Sequence, residues 1–290
     1  MADSAAHSVE DGAGTVLNLQ CMEVWGGNRA VDSRVSLPGL DAWVFSRPVG
    51  GKRGGDVHFM SSCATSHIAR MLVADVAGHG EVVARTGTRL RNMMRRHVNA
   101  HDQRRLVRSL NREFTADPTH GLFATAVAMT FDAPKNSLLI SNAGHPPPLR
   151  YHTGAAQWSY LERARSRREA TQANLPLGIF EAVDYDQLEV QLNVGDFVLC
   201  YTDSLPESRD ASGAVLGREG VLRAIQAIGP NDFSGMVSAL RGLLGRIGVS
   251  GEDDVTAMLL RPNGMRSRIP MKDYLLAPYR YVRAVARPYR

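Results

Sequence analysis

The sequence predicts an α+β fold, and three observations carry that prediction. Short apolar or alternating runs bounded by glycine, proline and aspartate recur along the chain, as at Asp41–Ser46, Val57–Cys63, Ile68–Asp75, Phe197–Tyr201 and Val255–Leu260. Such runs are the mark of strands. Several are consecutive and close enough to pair as hairpins, without a crossover. Two pairs of longer segments, at about 81–117 and 218–247, instead repeat their apolar residues at helical spacing, so the chain combines helices with hairpin-forming strands.

With 290 residues, 44% hydrophobic and 22% charged, the chain can bury one full core. No stretch approaches the roughly 20 apolar residues that span a bilayer. Met1–His7 lacks the basic start and apolar centre of a secretory signal, so a cytoplasmic location is expected. Cys21, Cys63 and Cys200 lie far apart without a Cys-x-x-Cys, and read as buried free thiols. The net charge of +5 is concentrated in Arg85–Arg112, Arg163–Arg168 and the stretch after Pro262. These segments lack aromatic interleaving, a helix-turn-helix pattern or zinc spacing, so they read as solvated faces rather than a nucleic-acid surface.

Taken in order, residues 1 to about 20 are small, polar and acidic and are expected to be disordered. Trp25-Gly26-Gly27-Asn28 reads as a turn, and Asp41–Ser46 as a strand stopped by Pro48-Val49-Gly50-Gly51. Gly54-Gly55-Asp56 opens the strand to Cys63, and Ile68–Asp75 follows closely enough to form a hairpin with it. Antiparallel pairing sets the start of one strand beside the end of the next, so Asp56 and Asp75 share one edge. Gly78 and Gly80 let the chain turn sharply and leave room beside Asp75 for an ion or a phosphate.

Val83, Leu90, Met94 and Val98 mark a first helix, and Leu106, Val107, Leu110 and Phe114 a second, with Asp102 as its N-cap and Asp117-Pro118 as its stop. Leu122–Phe131 and Ser137–Ser141 make a hairpin, and the rigid Asn142–Pro148 turn leads to extended Leu149–His152. His145 in that turn has two readings, a ligand or proton donor and a structural histidine. Glu162–Asn174 is a polar, arginine-rich loop suited to partner contact, Leu175–Ile179 a turn, and Gln187–Leu192 a half-buried strand. Phe197–Tyr201 is a buried strand ending at Thr202-Asp203, helices follow at Arg218–Ile228 and Asp232–Ile247, and Asp253-Asp254 opens the last strand.

Asp56, Asp75, Asp203 and Asp253 thus each stand at a strand terminus beside a turn. A single such aspartate is an ordinary cap or turn residue, but four of them form a pattern. Hard oxygen donors without a histidine or cysteine set favour Mg²⁺ or Mn²⁺. Two such ions, roughly 3.5–4 Å apart, suit in-line displacement at phosphorus. The chain carries neither a phosphate-binding Gly-x-x-x-x-Gly-Lys loop nor a Gly-x-Ser-x-Gly elbow.

In this order, Gly54-Gly55-Asp56, Asp75-Val76-Ala77-Gly78-His79-Gly80, Phe123-Ala124-Thr125, Asn142-Ala143-Gly144-His145-Pro146, Leu175-Pro176-Leu177-Gly178, Tyr201-Thr202-Asp203 and Asp253-Asp254-Val255-Thr256 resemble the successive signatures of PPM-type (protein phosphatase 2C-like) phosphatases. The nearest branch is the bacterial sporulation-protein-E/sigma-factor-regulator group. The resemblance covers about residues 40–261, leaving 1–39 as an N-terminal extension and 262–290 as a basic tail. It implies a four-layer α-β-β-α sandwich of two antiparallel sheets flanked by helices, and hydrolysis of phosphoserine or phosphothreonine on a regulatory protein. By the same resemblance, Asp75 bridges two Mn²⁺ or Mg²⁺ ions that activate a shared water, and the Val76 carbonyl binds the second ion. Asp203 and Asp253 hold the first, and Asp56 reaches the second directly or through water.

Asp254 matches a position that is often asparagine in relatives, so it is a neighbour rather than a ligand. Lys52 and Arg53 are the candidates for phosphate binding. The helix pair after Gly80 resembles a regulatory switch, with control expected from a partner, from dimerisation or from the tail. The expected partner is a small phosphorylated antagonist of an anti-sigma factor. Two departures from the pattern, Val57-His58-Phe59-Met60 after the first aspartate and Ser204 in place of the usual glycine, motivate an alternative: a catalytically silent binding module on the same fold. Ser204 would crowd its turn if φ there were positive.

Overall fold

The computed structural model of the chain describes residues 7–11, 14–19, 23–63, 67–97, 100, 102–116, 121–163, 173–210, 212–229, 232–247 and 253–265. The strands are β1 His7–Asp11, β2 Gly14–Asn18, β3 Val24–Gly27, β4 Val31–Leu37, β5 Leu40–Arg47, β6 Val57–Ser62, β7 Ile68–Val76, β8 Ala124–Asp132, β9 Ser137–Ala143, β10 Leu149–His152, β11 Gln157–Tyr160, β12 Leu188–Gln191, β13 Phe197–Tyr201 and β14 Val255–Pro262. The helices are α1 Glu81–His97, α2 Gln103–Thr115, α3 Ser204–Glu207, α4 Gly217–Ile228 and α5 Phe233–Ile247. Two sheets form, one in the order β1-β2-β4-β5-β14-β13-β10-β11 and the other β12-β9-β8-β7-β6-β3.

Period-two alternation along the strands builds the layers. Met71 and Val73 of β7 meet Val44, Val198 and Met258 of the other sheet in a core between the sheets. The alternate residues Leu72, Ala74 and Val76 pack with Leu90, Met94, Leu106, Leu110 and Phe114 of α1 and α2. On the far side, Leu199, Tyr201, Ala257 and Leu259 pack with Val221, Ile225, Met236, Val237 and Leu240 of α4 and α5. Three cores separate four layers, α-β-β-α, as expected. Helix ends follow the local rules: the Asp102 side chain accepts the Arg104 N–H at 3.0 Å, and α1 begins with Glu81 and ends with Arg95, Arg96 and His97, matching its dipole.

Three expectations need correction. The larger sheet is mixed, because β2 runs parallel to β4; the chain passes through β3 in the other sheet between them, and such an excursion returns it in the same direction. Residues 7–11 and 14–18, expected to be disordered, form β1 and β2. They join through backbone pairing at a sheet edge, which needs no strong side-chain pattern, and Leu19 is then buried between the sheets. Trp25-Gly26-Gly27 is strand rather than turn: a Cβ on Gly26 would stand 2.3 Å from the His58 carbonyl oxygen, so this glycine serves close strand approach.

Cys200 is a buried free thiol and Cys63 is half-buried, while Cys21 lies outside the described residues. So do most of the arginine-rich loop, at 164–172, and the tail from 266. Among the described residues no helix is long and apolar enough to cross a membrane.

Candidate metal centre

One end of the sandwich collects the sequence-predicted aspartates. In one sheet, β6 begins at Val57 and pairs with Ala74 of β7, so Asp56 and Asp75 stand at the same edge. Both share the parity of Met60 and Met71, whose side chains enter the space between the sheets. In the other sheet, β13 ends at Tyr201 against Ala257 of β14, which places Asp203 and Asp253 at the facing edge. Four side chains from distant parts of the chain therefore meet where both sheets stop.

Their electrostatics record that meeting. Burial and the nearby Asp75 push the Asp56 carboxyl well above the usual range, and Asp254 adds to the rise. Asp75 is raised to about 7, by burial first and then by Asp203, Asp253, Asp254 and Glu207. Asp203 is raised by burial and Glu207, and Asp253 by burial, Asp203 and Asp254. None of the four aspartates forms an ion pair with a lysine or arginine among the described residues.

Hydroxyls supply the remaining order around Asp56, a residue only 3% exposed. The Thr202 hydroxyl donates to Asp56 Oδ2 at 2.9 Å, and the Thr256 N–H donates to the Thr202 oxygen at 3.0 Å. Thr202 thus ties both sheets together at the site. The sequence reading missed this residue and Glu207; the Thr-Asp dipeptide at the strand end was the only signal for the first. Glu207 sits on α3, a single turn that carried no periodic signal.

The turn after Asp75 behaves as its glycines require. Gly78 and Gly80 have φ of +106° and +92°, and a Cβ on Gly80 would meet nothing within 4 Å. Both glycines are needed for conformation, and the space beside Gly80 stays open. The Ala77 N–H bonds the Phe123 carbonyl at 2.9 Å, fixing the turn to the start of β8. Leu177 pairs with Ala124 on the other side, so Leu175–Ile179 is more than a turn. Gly144 has φ of +69° and lies against Pro176, which brings the Asn142–Pro146 and Leu175–Gly178 motifs into contact.

Other predicted residues take lesser places. His145 is buried; its Nδ1 is 2.8 Å from the Thr125 hydroxyl, and its ring is held down to about pH 3 by burial. The Asn142 amide closes its turn through reciprocal bonds of 2.8 Å. The structural reading of His145 therefore holds. Ser204 lies in α3 and is absent from the positive-φ residues, so it does not crowd its turn. Lys52 and Arg53 are exposed on the loop before Asp56 and make no ion pair among the described residues.

The donor set is chemically suited to a hard divalent cation: carboxylates, a nearby backbone carbonyl at Val76, and like charges that a cation relieves. Among the described residues no three acidic, histidine or cysteine side chains already close on a single point.

Comparison with known proteins agrees with this geometry. The chain matches the family described as stage II sporulation protein E (SpoIIE) over residues 66–263; three of the four aspartates fall inside the match, and Asp56 lies before it. It is 25% identical over 176 residues to the phosphoserine phosphatase RsbU of Bacillus subtilis, covering 60% of this chain and 49% of that protein. The chain thus spans about half the length of this relative.

Among solved structures, it superposes on the PP2C phosphatase domain and regulatory-domain fragment of SpoIIE from Bacillus subtilis with a TM-score of 0.63 at 16% identity, covering 83% of this chain and 70% of that one. The catalytic domain of the serine/threonine phosphatase PstP, solved with two manganese ions, aligns at a TM-score of 0.53 and 18% identity over 77% of this chain and 97% of that one. These likenesses establish the PP2C fold.

Proposed function

We propose that this chain, which belongs to the stage II sporulation protein E (SpoIIE) family, is a metal-dependent phosphoprotein phosphatase acting on phosphoserine or phosphothreonine. The observation that carries the proposal is the meeting of Asp56, Asp75, Asp203 and Asp253 at one end of the sandwich, each raised by burial and by neighbouring carboxylates. The RsbU and PstP relatives support the reaction class and the choice of Mn²⁺ or Mg²⁺.

In this reading Asp75 would serve both ions, Asp203 and Asp253 would hold the first, and Asp56 with the Val76 carbonyl would hold the second. When bound, the ions lower the pKa of a water and neutralise charge on the phosphate. The protein's own contribution is placement. Thr202 fixes Asp56, the glycine turn after Asp75 keeps the approach open, and Lys52 and Arg53 stand on the adjacent loop where a phosphate arrives. The expected substrate is a small phosphorylated regulatory protein of a partner-switching pathway, such as an antagonist of an anti-sigma factor. The α1–α2 pair is the expected switch, driven by a partner, by dimerisation or by the tail.

Hydrolysis of p-nitrophenyl phosphate and of phosphoserine peptides tests the proposal. Turnover should require Mn²⁺ or Mg²⁺, stop on chelation and be lost in Asp203→Asn. Activity indifferent to chelation and to that substitution would sink the mechanism. Tight Mn²⁺ binding without turnover on any phosphopeptide would instead favour a silent binding module. A comparison of phosphorylated proteins in cells carrying wild-type and Asp203→Asn protein would identify the substrate by the site that accumulates.

A further inference from the structure

Asp254 has a role that its place beside Asp253 conceals. Its two carboxylate oxygens accept backbone N–H groups from both ends of the loop that leads into Asp56. Oδ1 takes the Val49 N–H at 2.7 Å, and Oδ2 takes the Gly55 N–H at 2.6 Å with the Asp56 N–H at 3.4 Å. The partners are about 200 positions apart in sequence, so the bonds join the start of β14 in one sheet to the start of β6 in the other.

The two glycines before Asp56 make room for this clamp. A Cβ on Gly54 would stand 1.9 Å from Asp254 Oδ2. A Cβ on Gly55 would stand 2.8 Å from the Val76 carbonyl oxygen and 2.7 Å from Val83 Cγ1. Neither glycine has a positive φ, so each is required for space rather than conformation. On its other face the loop is held by Asn28, whose carbonyl accepts the Gly54 N–H at 3.0 Å. The Asn28 side-chain amide donates to the Gly54 carbonyl at 2.9 Å and to the Ala84 carbonyl of α1 at 2.7 Å.

We propose that Asp254 is a positioning residue: its carboxylate clamps the Val49–Asp56 loop and thereby sets Asp56 and the Val76 carbonyl against Asp75. The inference rests on the metal-centre reading above. A carboxylate suits this role better than an amide, because both oxygens accept. An asparagine would turn its NH₂ toward one set of backbone N–H donors and hold only half of the loop. Outer partners that orient ligands in this way typically account for about 10–100-fold in metal affinity.

The test is Mn²⁺ titration by calorimetry of the full chain, with thermal melting of the metal-free protein as a control for folding. Asp254→Asn and Gly54→Ala attack the clamp from its two sides. Each should weaken Mn²⁺ binding at the weaker site by about tenfold or more, with the double variant little worse than either single one. Turnover should recover toward the wild-type kcat at saturating Mn²⁺. If wild-type protein binds Mn²⁺ and either variant binds it equally well, or if the two losses simply add, the clamp is overturned. If wild-type protein binds no Mn²⁺, the metal-centre reading itself fails, a result distinct from failure of the clamp alone.

Discussion

Two buried aspartates near strand ends show what distinguishes a charge the fold compensates from one it does not. Asp196, in the turn before β13, has no exposed side-chain surface and sits 2.6 Å from the Arg150 guanidinium. Burial would raise its carboxyl, but N–H bonds from Asn193 and Thr153 and the Arg150 contact outweigh burial and hold it below the usual range. Asp56 is almost as buried, yet its near neighbours are Asp75 and Asp254, and its carboxyl is driven upward. The first carboxylate has its counter-charge built into the fold. The second has hydroxyls for order and further carboxylates for company, which is the environment of a cation ligand.

The largest effect that would break this contrast is at Asp75, the residue most surrounded by other carboxylates. Asp75→Asn should cut Mn²⁺-dependent phosphatase activity by more than about 100-fold, beyond the range usual for an outer-shell change, with the fold intact by circular dichroism. Activity within a few-fold of wild type would remove Asp75 from the centre.

Arg150→Ala probes the opposite side of the comparison. It leaves the buried Asp196 without its counter-charge, held only by the Asn193 and Thr153 N–H groups, and should cost about 3–5 kcal/mol in urea unfolding while Mn²⁺ affinity stays unchanged. A shift in metal affinity would show that the two carboxylates are not independent.

A pH effect follows from the sign of the Asp75 shift. Its carboxyl is raised from 3.8 to about 7 in the folded chain, so between those values the native state holds a proton that the unfolded state has released. Its stability contribution is complete below about pH 4 and is lost as pH rises through about 7. Chelated protein should therefore melt at a lower temperature at pH 8 than at pH 5, and Asp75→Asn should flatten that difference. Added Mn²⁺ should raise the melting temperature more at pH 8. A melting temperature of the chelated protein that rises with pH would contradict the proposed environment.

The smallest effect concerns Ser204. Because its backbone is helical, Ser204→Gly should destabilise by about 0.5–1 kcal/mol, measured by thermal melting, rather than relieve strain.

Much of this was legible in the chain itself, because local chemistry dictates it. The apolar runs with period two, the helical spacing of Leu90, Met94, Leu106 and Leu110, and the Asp102 cap specify strands and helices wherever a side-chain pattern is strong. Hairpin proximity alone paired Asp56 with Asp75. The strands β1, β2 and β3 escaped because they join the outer part of a sheet by backbone bonding or through glycines at close strand approach, where side chains carry little signal. Only the tertiary structure could decide that Asp203 and Asp253 face Asp56 and Asp75, since that depends on how two sheets stack. It alone also gave Thr202 and Asp254 their partners, because a hydroxyl or carboxylate names no partner until a distant N–H or oxygen arrives within 3 Å.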